Sequence, residues 1–184
     1  MNPQVKHIVL GVTGSIAAYK AADIVRCLKK KGCRVSVIMT RSAQEFITPL
    51  TMAILSEEKV WRSMFEDEAQ ERMLNHLCLA QAADVFVIAP ATANVIGKVA
   101  NGIADDLLTA VAMATRAPVI VAPAMNDKMW TNPRVQENCK KLQSQGVIFV
   151  GPKEGGLACG VYGPGHIADV DEIVNEIEKL TRNA

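Results

Sequence analysis

Five short apolar runs, at residues 5–12, 33–40, 84–89, 118–122 and 147–150, alternate with longer segments of helical periodicity. This order predicts a parallel sheet, because parallel neighbours need a crossover connection and the crossover helices must cover the sheet. The run 84–89 is apolar almost without interruption, as expected of a strand buried on both faces. Helices are expected over 17–31, 42–47, 49–56, 92–101, 105–115, 133–145 and 170–181. Gly32 and Gly146 close two of them and Pro133 opens one. Residues 57–75 are charged and irregular, and 151–168 read as a glycine-rich loop. The expected fold is a single-domain, three-layer, doubly wound α/β architecture over residues 1–184. It is Rossmann-like or flavodoxin-like, with helices on both faces of a parallel sheet.

At 184 residues the chain can bury a sizeable core. A formal net charge of +1 gives no electrostatic case for nucleic acid or an anionic membrane. No apolar stretch reaches the length of a membrane span. The N-terminus lacks a signal-peptide pattern. Cys27, Cys33, Cys78, Cys139 and Cys159 are odd in number and form no Cys-x-x-Cys pair, so reduced thiols and the cytoplasm are expected.

In open parallel sheets ligands bind at the carboxyl ends of strands. Three expected strand ends carry small and polar residues there: 14–17, 90–95 and 123–126. At the first, small residues around Gly14, Ser15 and Ile16 suit a phosphate or a flavin edge at a helix N-terminus, or Ser15 is simply an N-cap. The dinucleotide glycine pattern and the Walker signature are both absent. At the second, Thr92 and Asn94 either bond a ligand or cap the next helix. At the third, Asn126 offers a neutral amide, and Met125-Asn126-Asp127-Lys128-Met129-Trp130 exposes large apolar side chains unless a ligand or another subunit covers them. His76 is the histidine most open to a catalytic reading, although a lone histidine is more often structural. Cys159 differs from the other thiols because glycines flank it, in a loop able to close as a lid. It suits a nucleophile, a redox group or a proton donor.

Taken in order, Gly14-Ser15-Ile16-Ala17-Ala18-Tyr19-Lys20, Pro90-Ala91-Thr92-Ala93-Asn94, Pro123-Ala124-Met125-Asn126 with Met129-Trp130, and Leu157-Ala158-Cys159-Gly160 resemble the homo-oligomeric flavin-containing cysteine decarboxylases. The resemblance runs from about residue 5 to 181. It implies bound FMN and decarboxylation of phosphopantothenoylcysteine to phosphopantetheine, a step of coenzyme A biosynthesis. By resemblance Gly14, Ser15 and Ile16 meet the flavin or its phosphate, with Thr40 and Ser42 near the phosphate. Thr92, Ala93, Asn94 and Val95 would line the isoalloxazine, with Ala124 beside it. Asn126 would hold the substrate carboxylate, among Met125, Gly156, Ala158 and Ile167. His76 matches the family's active-site histidine and Cys159 the cysteine that completes the reaction. FMN would lie between subunits of a trimer, and trimers can assemble into dodecamers.

The chemistry explains why such groups are needed. Loss of carbon dioxide directly from a cysteine carboxylate leaves an unstabilised carbanion. Oxidising the CH₂–SH unit to a thioaldehyde first places the carboxylate β to an electron sink. Decarboxylation then gives an enethiol, and returning the two electrons with a proton gives the saturated thiol. The cycle has no net redox change, so no nicotinamide cofactor is required.

Relatives with other outcomes remain as alternatives: peptidyl-cysteine decarboxylases that stop at the enethiol, flavin prenyltransferases, and non-catalytic regulatory relatives. Cys159 argues against the first. The paired Met125–Trp130 and Ala158–Gly160 elements argue against the second. Many bacterial relatives continue into a second, cysteine-ligating domain. This chain ends at Ala184, so it is expected to be monofunctional or a piece of a longer protein. It also carries His166 where many bacterial members place an arginine.

Overall fold

The computed structural model describes residues 5–64, 75–158 and 160–182. Six parallel strands form the central sheet: β1 (His7–Val12), β2 (Arg34–Met39), β3 (Val60–Trp61), β4 (Val85–Ala91), β5 (Val119–Pro123) and β6 (Ile148–Phe149). Their spatial order is β3-β2-β1-β4-β5-β6, every neighbouring pair parallel. That is the Rossmann order 3-2-1-4-5-6. With the two-residue β3 set aside it is the flavodoxin order 2-1-3-4-5, which reconciles the two expected descriptions.

Period-two alternation sends successive strand residues into two separate cores. Ile8, Leu10 and Val12 of β1 and Val85, Val87 and Ala89 of β4 pack with helices α1 (Tyr19–Lys30), α2 (Pro49–Ser56) and, at the chain's end, Val170–Arg182. Val9, Phe86 and Ile88 face the other way. They meet α3 (Asn75–Ala82), α4 (Ala93–Ala100), α5 (Leu107–Ala114) and, beyond the four-residue α6 (Asp127–Trp130), α7 (Pro133–Ser144). Gly11 belongs to this second face. A Cβ there would come 2.7 Å from Leu108 Cδ1, so the glycine lets α5 lie against β1. The C-terminal helix Val170–Arg182 is α8. Between β6 and α8 lies an antiparallel hairpin, β7 (Lys153–Gly156) and β8 (Tyr162–His166).

All five expected strands and seven expected helical segments are present, the segment near 42–47 as a 3₁₀ turn (Arg41–Glu45). Five elements differ from expectation. β3 is only two residues long, too short to show a period. The hairpin β7–β8 replaces an expected loop, because Gly155, Gly156, Gly163 and Gly165 leave no apolar alternation to read. The single-turn α6 and the helix α3 also went unread. Part of 57–75 and all of Cys159 lie outside the described residues.

β1 lies between β2 and β4, so the chain leaves β1 toward one side and later returns on the other. Loops at the carboxyl ends of β1 and β4 therefore diverge and open a crevice, the topological switch point where this architecture binds ligands.

Candidate active site

Each strand ending at the crevice hands over to a helical turn through a capping side chain. After β1, Ser15 Oγ accepts from the Ala17 N–H at 3.3 Å and starts the 3₁₀ turn Ile16–Ala18 that leads into α1. After β2, Thr40 Oγ1 accepts from Ala43 N–H at 3.2 Å. After β4, Thr92 Oγ1 accepts from Val95 N–H at 3.4 Å. After β5, Asn126 Oδ1 accepts from Lys128 N–H at 3.0 Å. Both readings of Ser15 and Thr92 hold in part: each caps a turn, and each also lines the cleft.

The loops are fixed to one another by a residue that sequence reasoning did not single out. Thr13 is fully buried. Its Oγ1 donates to the Pro90 carbonyl at 2.7 Å and accepts from the Thr92 N–H at 3.1 Å. One hydroxyl thus ties the end of β1 to the end of β4 across the switch point. Further along, Ala124 N–H donates to the Ala91 carbonyl at 3.0 Å, and Met125 N–H to the Gly165 carbonyl at 3.0 Å, which draws the hairpin over β5. Gly165 has φ +129° and packs so closely on the Met125 carbonyl that a Cβ would collide with it. Gly14 has a similar purpose: a Cβ there would overlap the Ser42 side chain. Its smallness therefore serves loop-on-loop packing, and it still borders the cleft.

These walls enclose a cleft of about 540 Å³ lined by Gly14–Ala17, Tyr19, Lys20, Thr92, Ala124–Asn126, Met129, Gly156–Ala158 and Gly165–Ile167. The volume lies within the ~300–1,000 Å³ usual for cofactor and small-molecule sites. Ten of the expected site residues are brought together here: Gly14, Ser15, Ile16, Thr92, Ala124, Met125, Asn126, Gly156, Ala158 and Ile167. Met129 joins them, whereas Trp130 packs against the second core. Thr40, Ser42, Ala93, Asn94 and Val95 do not line it: Ser42 backs Gly14, Asn94 is exposed and Val95 is buried beneath α4. His76 is half-buried on α3, which packs against α5, and does not line the cleft of its own chain. Cys159 follows the lining residue Ala158 in sequence but lies outside the described residues. Lys20, Tyr19, Leu157 and His166 complete the walls. Lys20, Tyr19 and Leu157 stand within the motifs that carry the resemblance, but no spacing rule marked them as cleft residues.

Among the described residues no Asp or Glu lines the cleft, and no cluster of His, Cys, Asp or Glu could hold a metal ion. The other buried polar group of note, His7, sits at the opposite, amino end of the sheet. Its Nε2 lies 2.8 Å from Ser36 Oγ, which donates to Glu58 Oε2 at 2.8 Å.

A "Probable phosphopantothenoylcysteine decarboxylase" of Streptococcus mutans is 46% identical over 177 residues, covering 95% of this chain and 98% of that protein. The "Coenzyme A biosynthesis bifunctional protein CoaBC" of Vibrio vulnificus is 47% identical over 95% of this chain. The chain spans 43% of that relative's length. Among solved structures, a PPC decarboxylase mutant complexed with pantothenoylaminoethenethiol superposes with a TM-score of 0.87. It shares 31% identity, covering 97% of this chain and all of that one. The flavoprotein family matches residues 2–182, and this chain belongs to it.

Proposed function

We propose that the protein is an FMN-dependent decarboxylase that converts phosphopantothenoylcysteine to phosphopantetheine in coenzyme A biosynthesis. The observation that carries this reading is the cleft itself. It places the Asn126 amide in the same wall as Ser15, Thr92 and Ala124, at the switch point of a flavoprotein fold.

The residues present suit a flavin. Among the described residues the walls are uncharged except for Lys20 and His166, several are small, and Gly14–Ile16 present the start of a helical turn. Gly14, Ser15, Ile16, Thr92 and Ala124 would hold FMN, with Thr40 and Ser42 buttressing the phosphate end and Ala93, Asn94 and Val95 the ring end. Bound FMN supplies a two-electron acceptor for the cysteine CH₂–SH unit and a donor for the final reduction.

The chain's own groups orient the substrate and move protons. Asn126 Oδ1 accepts from the Lys128 N–H, which orients the amide, and an amide can also donate to a carboxylate. A neutral amide suits this task. A full positive charge would favour the ground-state carboxylate, whose charge must leave it in the transition state. Met125, Gly156, Ala158 and Ile167 exclude water around it. His76 accepts or relays a proton in the oxidative half, and Cys159 donates the proton that accompanies the return of electrons.

His76 lies outside its own chain's cleft, so it would serve the site of a neighbouring copy. Ile16, Tyr19 and Met129 at the cleft, and Phe46, Leu50 and Ile54 on and before α2, are apolar and exposed, as surfaces awaiting a second copy would be. A trimer or dodecamer of one-domain subunits in the cytoplasm fits this reading.

Asn126→Asp tests it. The variant should keep its flavin absorbance and lose at least about a hundredfold in decarboxylation, as expected when an anion replaces the donor at a carboxylate. Full turnover by that variant would remove Asn126 from the role, and a protein that takes up no FMN would remove the function.

A further inference from the structure

His7 is buried and takes no part in the reaction proposed above, yet several elements converge on it. Its N–H donates to Asp84 Oδ2 at 2.7 Å, and its carbonyl accepts from the Asp84 N–H at 2.8 Å. These two bonds fix the turn from α3 into β4 against the start of β1. The His7 ring meets Ser36 of β2 at 2.8 Å through Nε2, and Ser36 Oγ donates to Glu58 Oε2 at 2.8 Å. On its other side the ring has the Ala82 carbonyl, at the carboxyl end of α3, as a hydrogen-bond acceptor.

The hydrogen count along this relay defines two states. The Glu58 carboxylate and the Ala82 carbonyl can only accept. Ser36 gives its one hydrogen to Glu58, so it accepts from His7, and a neutral ring carries its hydrogen on Nε2. Nδ1 then has no hydrogen for Ala82, and one link of the relay is empty. A second proton on the ring fills it. The imidazolium also places a cation at a helix carboxyl end, where the macrodipole favours one. Arg34 of β2 opposes that proton, whereas Glu58, ahead of β3, and Asp84, ahead of β4, favour it. Burial and then Arg34 prevail, so the link fills only below the ordinary histidine value of 6.5.

α3 has eight residues, too few to stand as an isolated helix in water. Its last turn is held from α5, where Thr115 Oγ1 donates to the Ala80 carbonyl at 3.1 Å, and from His7. His76 lies at the opposite end of α3, about 9 Å along the helix axis from Ala82. A shift of the held end is therefore carried to His76. We propose that His7 is a positioning residue for His76: it clamps the carboxyl end of α3, and uptake of one proton by its ring completes the clamp. The role given to His76 rests on the functional reading above, whereas the clamp stands on the fold alone.

The test follows α3 and turnover together between about pH 8 and about pH 5, in flavin-loaded wild type, His7→Gln and Ser36→Ala. Hydrogen exchange of the α3 amides, corrected for intrinsic rates, reads the clamp, and kcat reads His76. Wild-type α3 protection should rise roughly threefold to tenfold as His7 takes up its proton, the worth of one hydrogen bond. The kcat profile should carry a component with the same midpoint. Histidine-labelled NMR of the wild type should show His7 protonated on Nε2 alone above that midpoint and on both nitrogens below it. Ser36→Ala releases Nε2, so the neutral ring can offer its hydrogen to Ala82 from Nδ1. Protection should then stay high throughout, with no such component in kcat, and His7→Gln should lose both pH components. Wild-type pH components that persist in both variants would overturn the proposal. So would a neutral wild-type ring protonated on Nδ1, a result that needs no variant. A protection change governed by His7 beside an unaltered kcat profile would overturn the role toward His76. Absence of turnover by flavin-loaded wild type would overturn the functional reading and that role with it, while α3 exchange alone still decides the clamp.

Discussion

At the scale of single residues, the polar groups at the strand ends have two tasks each. Ser15, Thr40, Thr92 and Asn126 satisfy the first N–H groups of the helical turns that follow. Three of them also face the cleft, so capping preorganises the side chain that would meet a ligand. Thr13 is different: it faces no ligand and holds two loops together. Thr13→Val removes its hydroxyl at nearly constant volume and leaves the Pro90 carbonyl and Thr92 N–H buried without it. The variant should lose about 1–3 kcal/mol in urea unfolding and bind FMN more weakly. Unchanged stability would show that the bridge contributes nothing. Thr13 illustrates a limit of sequence reading. Its neighbours stood out by being small or by capping, whereas a threonine that bridges two loops has no periodic or spacing signature. Asn126, by contrast, was visible because a polar residue followed a buried run.

At the scale of elements, the sheet works from both ends. Its carboxyl end opens into the cleft. Its amino end is tied by a chain running from His7 on β1 through Ser36 on β2 to Glu58, which Arg34 also engages. Burial, then the Arg34 charge, push His7 below its ordinary value of 6.5. Burial acts to raise Glu58, but hydrogen bonds from Arg34 and Ser36 outweigh it, so its pKa falls below 4.5. An unfolded His7 takes a proton near 6.5 while the folded one resists, so between the two pKa values the unfolded chain holds more protons. Stability supplied by His7 is therefore complete above 6.5 and is lost as pH falls from there to its folded value, while Glu58, whose folded pKa is lowered, supplies stability that is present above 4.5 and is lost as pH falls through its own folded value. Chemical denaturation across this range should show stability falling in the wild type and a flatter profile in His7→Gln; parallel profiles would exclude His7 as the titrating group. The long elements were legible because Ile, Val, Leu and Ala recur with clean periods along them. β3, α6 and the β7–β8 hairpin were not. Two strand residues or one helical turn carry no period, and the hairpin is built from glycines chosen for close approach, as Gly165 is against Met125.

At the scale of the whole molecule, the order of motifs along the chain becomes a single site only because the doubly wound sheet turns its carboxyl ends to one edge. Residues near 14, 92, 125 and 157 are distant in sequence and share one cleft in the fold. His76 stood out in the sequence, but its place on α3 is away from that cleft, and under the proposed function it would act only at the site of a neighbouring copy. The exposed apolar residues flanking the cleft point the same way. The central claim is that the site completes a decarboxylation with no net redox change. Its most direct measurement is mass analysis of the products after FMN-loaded protein is incubated with phosphopantothenoylcysteine, without nicotinamide cofactor or external oxidant. The account predicts carbon dioxide and the saturated thiol phosphopantetheine in equal amounts over many turnovers. Recovery of unchanged substrate, or accumulation of the enethiol as the final product, would contradict it.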